Sequence, residues 1–94
     1  MSRFLIEIPH EADESACLRA IKVLQETGSH FLTNAEYGCL DGVHKAWIIV
    51  DVESKNDAEM IVPRAYRQSA TIIKLNSFSV EEIDKLMAHH SPNN

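Results

Sequence analysis

The sequence predicts a single α+β domain built on an antiparallel sheet, and three observations carry that prediction. Segments alternating apolar and polar residues are interleaved with segments of helical period. An Asp41-Gly42 pair stands between two of the alternating segments, where a hairpin turn belongs. The chain has 94 residues, 45% of them apolar and 24% charged, which is enough for one core.

The first element is a strand over 3–8. Phe4, Ile6 and Ile8 alternate with Arg3, Leu5 and Glu7, and Pro9 ends the strand because proline has no amide hydrogen for a ladder. A helix follows over 13–27. Ala16, Cys17, Ala20, Ile21, Val23 and Leu24 give it a broad apolar stripe, and Gly28 supplies its stop. The next strands cover 30–39 and 43–52, joined by Asp41-Gly42 as a two-residue turn with both residues at positive φ. Ser54 to Asp57 opens a second helix carrying Ala58, Ile61, Val62 and Ala65, and Pro63 predicts a kink or break within it. A fourth strand covers 71–76. The last helix opens with a capping box, Ser79 with Glu82, and Phe78 can staple onto Ile83. It ends near His89 and His90, at the negative end of the helix dipole, where positive charge is favoured. Residues 91–94 read as a loose tail.

Strand–helix–strand–strand–helix–strand with a further C-terminal helix is the split βαβ order of the ferredoxin-like fold. Its sheet order is 4-1-3-2, with the main helices on one face. The side-chain period of two assigns faces. A two-residue turn pairs Leu40 with Val43, Cys39 with His44, Tyr37 with Ala46 and Asn34 with Ile49. Phe4, Ile6, Ile8, Phe31, Ala46, Ile48, Val50, Ile73 and Leu75 then face the helices. Leu5, Glu7, His30, Leu32, Asn34, Glu36, Trp47, Ile49, Ile72 and Lys74 face the other way. Leu5, Leu32, Trp47, Ile49 and Ile72 would form an apolar patch too large for a soluble monomer to leave bare. A second copy of the chain is the simplest cover. So short a chain buries only about 60–65% of its unfolded surface, so a homodimer also helps stability.

The N-terminal strand RFLIEIP, the aromatic-bearing third strand KAWIIVDV and the helix opening SKNDAE give a layout that resembles the dimeric α+β barrel superfamily. That superfamily includes proteins resembling muconolactone isomerase, small antibiotic-biosynthesis monooxygenases and small nickel-binding proteins. The resemblance covers nearly the whole chain as topology and carries over no catalytic residue. It implies a homodimer with a cavity for a small molecule and no particular reaction, although chemistry in that superfamily is often done without a cofactor.

Two groups of residues have chemistry to offer. On the bare face, His30 carries an imidazole, the side-chain type that suits a general base at neutral pH. Glu7 is placed to orient it, Lys74 points the same way from a neighbouring strand, Asn34 is placed to hydrogen-bond a developing oxyanion, and Glu36 and Trp47 to line a ligand cavity. The bland reading is a polar dimer interface with a Glu7–Lys74 ion pair. On the helix side, strand parity and topology put His10, Cys39 and His44 at one end of the sheet. Imidazole and thiolate suit zinc, nickel or copper, although Cys-x4-His is not an established metal spacing. Cys39 with His44 as base lacks an oxyanion hole, and Cys17 reads as a small core residue. Arg64 and Arg67, flanking Tyr66, either bind an anion or form a solvated helix face.

Net charge is −5 with no basic cluster. That disfavours nucleic acid and anionic membrane surfaces as partners. No apolar run reaches the length of a membrane span. MSRFLIEIPHEADE lacks the form of a signal peptide, so a cytoplasmic location with both cysteines as free thiols is expected. Three functions follow: a cofactor-independent isomerase or monooxygenase type of enzyme, a non-catalytic ligand-binding or structural dimer, and a transition-metal-binding protein.

Overall fold

Alternation over the first nine residues produces the long central strand of the sheet. In a computed structural model, which describes residues 1–27 and 30–90 (backbone alone at 27 and 90), β1 (Ser2–Pro9) is flanked on both sides. It pairs antiparallel with β3 (Lys45–Val52) and with β4 (Thr71–Leu75), and β3 pairs antiparallel with the short β2 (Glu36–Tyr37). Among the described residues this gives a four-stranded sheet of order β2-β3-β1-β4, the order the sequence predicts. The architecture is α+β and compatible with a ferredoxin-like fold. None of the described helices is long and apolar enough to cross a membrane.

Helices α1 (Glu14–Thr27) and α2 (Lys55–Ile61) start where short polar side chains satisfy open amides. The Ala16 amide donates to Asp13 Oδ1 at 2.7 Å, and the Asp57 amide donates to Ser54 Oγ at 3.1 Å. Cys17, Ala20 and Leu24 of α1 are buried, as are Ala58 and Ile61 of α2. These helices cover the sheet face that carries Phe4, Ile6, Ile8, Ile48 and Val50. The break at Pro63 occurs as expected: Val62 turns extended (φ −72°, ψ 128°) because a residue before proline is pushed out of the helical region. Helix α3 (Arg64–Arg67) then restarts the chain. The Arg67 guanidinium donates to the Val62 carbonyl through Nε (3.2 Å) and Nη2 (2.9 Å), so it caps this break.

Helix α4 (Val80–His90) opens with the expected reciprocal box. The Ser79 amide donates to Glu82 Oε1 at 3.3 Å, and the Glu82 amide donates to Ser79 Oγ at 3.1 Å. Its described side chains are exposed along their whole length. The chain measures 56 × 29 × 21 Å with a radius of gyration of 17.1 Å, well above the roughly 12 Å of a compact domain this long. The Gly28 stop, the His90 side chain and the tail 91–94 lie outside the described residues.

Three expectations fail. First, 30–39 is not a strand: His30–Asn34 forms a 3-10 turn and only Glu36–Tyr37 joins the sheet. Thr33 Oγ1 donates to the His30 carbonyl at 2.7 Å, and the Ala35 amide donates to the Leu32 carbonyl at 3.1 Å. The turn sends Leu32 fully into the core, where a strand would have put it on the bare face. Second, the hairpin is not a two-residue turn. Cys39–Asp41 forms a 3-10 turn closed by Gly42 at φ 80°, and the Gly38 carbonyl accepts from both the Asp41 and Val43 amides. The register is nevertheless the expected one, with Tyr37 opposite Ala46. Third, β4 has the opposite parity. Ile72 lies opposite Ile6 and is buried, and Ile73 lies opposite Leu5 and is exposed. Two adjacent isoleucines make either parity look apolar; packing beneath α2 selects Ile72.

Candidate metal centre

The far end of β1 and the near end of β3 are held in register one step beyond the ladder, where the His10 amide donates to the His44 carbonyl at 3.1 Å. Continuing the pairing of Ile8 with Ala46 and Pro9 with Lys45 puts His10 opposite His44. By parity both belong to the helix face, with Ile8 and Ala46. The rings meet edge to face with centroids 5.9 Å apart. The 3-10 turn brings Cys39 to the same end, and His10 Nε2 lies 3.1 Å from its sulfur. Helix α1 starts just after His10 and runs back over the sheet, so its first turns deliver Cys17.

These placements gather His10, Cys17, Cys39 and His44, whose ligand atoms all lie within 4.8 Å of one another. A tetrahedral zinc site with Zn–S about 2.3 Å and Zn–N about 2.0–2.1 Å needs ligand atoms roughly 3.3–3.8 Å apart. Two thiolates and two imidazoles are a donor set for zinc. Two thiolates would also cancel the charge of a divalent ion, so the filled site would be neutral and suited to burial. Cys17 is only 6% exposed.

The site's electrostatics agree with that donor set. Burial first, then the neighbouring His44, lowers the His10 pKa below the ordinary histidine value. Both effects favour the neutral imidazole, the form with a lone pair for a metal. Nδ1 of His10 and Nδ1 of His44 are both buried without a hydrogen-bond partner, and such orphaned atoms require an explanation. The Tyr37 hydroxyl beside them is also buried and unpartnered, and burial raises its pKa.

The two cysteines are not free thiols in this structure: Cys17 and Cys39 are joined in a disulfide across 22 residues, with Cα atoms 6.7 Å apart. The fold itself brings these positions together, which the sequence reading of Cys17 as a core residue misses. The available signal was topological. The strand order already placed His10, Cys39 and His44 at one end, and a helix beginning after His10 must pass over that end. An open groove of about 650 Å³ lies against the centre, lined by Cys17, Tyr37, Cys39, His44, Leu18 and Leu40 among others.

The bare-face set is not gathered in the same way. Glu7 accepts from Trp47 Nε1 at 3.0 Å and pairs with Lys45 at 3.5 Å, so its expected Lys74 partner is replaced. Lys74 lies opposite Phe4, on the helix-side parity of β4. The exposed His30 leaves the sheet in the 3-10 turn and stacks on Phe31 at 4.4 Å. Asn34, Glu36 and Trp47 do come together, with Leu5 and Ile49, around a shallow groove of about 410 Å³.

Comparisons with protein-family models, with curated proteins and with solved structures found no match.

Proposed function

We propose that this protein binds a transition metal, zinc by preference, through His10, Cys17, Cys39 and His44 in the reduced state. The observation that carries this reading is the convergence of four donor atoms, from four separate parts of the chain, within 4.8 Å. The orphaned imidazole nitrogens support it. Titrating the reduced protein with zinc against a competing chelator tests it. One zinc per chain is expected. Cys39→Ala and His10→Ala should each lower affinity by at least about 100-fold, as loss of a direct ligand exceeds the effect of losing its supporting partner. His30→Ala should leave affinity unchanged. Zinc binding unaffected by Cys39→Ala would remove the reading.

The bare sheet face supports a second part of the reading, a homodimer assembled sheet to sheet as the resemblance to dimeric α+β barrels implies. Ile49, Leu5 and Ile73 form one apolar row across β3, β1 and β4. Ile49 is 57% exposed and Ile73 46%. A partner sheet would cover this row and roof the groove at Asn34, Glu36 and Trp47, making a place for a small molecule. Sedimentation at micromolar concentration tests it, with twice the chain mass expected and a stable monomer contradicting it.

A further inference from the structure

The two sulfurs of the centre can hold a metal or hold each other, but not both. Two zinc-bound sulfurs stand roughly 3.8 Å apart, whereas a disulfide bond is about 2.05 Å long and its sulfurs carry no thiolate charge to donate. The structure contains the bonded pair, and the same sulfurs belong to the donor quartet. We propose that the centre is redox-released: a peroxide-class oxidant joins Cys17 to Cys39 and expels the metal, and a thiol reductant restores the site. This rests on the metal-binding reading above.

The surroundings assign the two cysteines different roles. Cys39 is half-buried and Cys17 is buried, and the groove of about 650 Å³ reaches both. Cys39 is the sulfur a small oxidant reaches first. Its thiolate attacks one peroxide oxygen, so an S–O bond forms, the O–O bond breaks and hydroxide leaves. The Cys17 thiolate then attacks the Cys39 sulfur, so the S–S bond forms, the S–O bond breaks and a second hydroxide leaves. Two thiolates have lost two electrons, hydrogen peroxide has gained them, and the divalent metal departs from a site reduced to two imidazoles. Helix α1 and the 39–41 turn are positioned by the sheet and the core. In the bonded state the two Cα atoms lie 6.7 Å apart.

The test uses reduced, zinc-loaded wild-type protein treated with hydrogen peroxide. A chelating dye reads free zinc, a thiol reagent counts cysteines, and intact mass reads the product. The expected result is one zinc released for each thiol pair lost, a mass decrease of about 2 Da for the zinc-free chain, and renewed zinc uptake after dithiothreitol. Zinc that stays bound under peroxide overturns the inference. So does zinc that leaves with a gain of about 32 Da, the mark of a sulfinic acid, and does not rebind after dithiothreitol. In both cases metal binding itself stands. If the reduced protein takes up no zinc in the loading step, the metal reading and this inference fall together.

Discussion

Gly38 shows how one residue sets the geometry of the centre. A Cβ there would lie 2.7 Å from the Val43 carbonyl oxygen and 2.8 Å from the Trp47 ring, so only glycine lets the turn carrying Cys39 close against β3. Gly38→Ala is expected to destabilise the protein by about 1–3 kcal/mol, the usual cost of overpacking, read by urea unfolding. Tyr37 offers the opposite case. Its hydroxyl is buried and unpartnered, so Tyr37→Phe should be neutral or stabilising by up to about 1 kcal/mol in the same measurement. Cys17 is the residue whose meaning the sequence hid. On a helical stripe a cysteine resembles any small apolar residue, and only the path of α1 over His10 makes it a candidate ligand.

At the scale of elements, what could be read from the sequence divides along physical lines. Helix boundaries were legible because caps act locally: Ser54, Ser79 with Glu82, and the break before Pro63 all form as their residue types dictate. Ser54→Ala should therefore cost about 1 kcal/mol of stability in thermal unfolding. The central strands were legible because long alternation leaves little choice of face. The segment 30–39 was not, because its apolar alternation fits a strand as well as a turn, and the choice depended on where Leu32 finds a core. Parity in β4 was hidden for a related reason, since Ile72 and Ile73 offer equal apolar surface to either side. The hairpin register survived although its turn did not. A 3-10 turn closed by Gly42 spans the same pairing that a two-residue turn would have. That is why His10, Cys39 and His44 met as the sequence suggested, while His30 and Lys74 did not join Glu7.

For the whole molecule, two exposed apolar surfaces bear on assembly. The row Ile49–Leu5–Ile73 lies on the sheet face away from the helices, and Ile83, Leu86 and Met87 of α4 are exposed. Ile49→Asp would place a charge at the centre of the proposed sheet-to-sheet interface, so it should shift the protein to monomer in sedimentation without reducing zinc affinity. The candidate metal centre lies on the helix face of the same sheet, opposite the face proposed for assembly. Assembly and the proposed metal binding therefore use opposite faces. The most direct test of the central claim is native mass spectrometry of reduced protein equilibrated with stoichiometric zinc. One zinc bound per chain is expected in the wild type and none in the double variant Cys17→Ala, Cys39→Ala. A wild-type chain that binds no zinc, or a double variant that binds it equally, would contradict it.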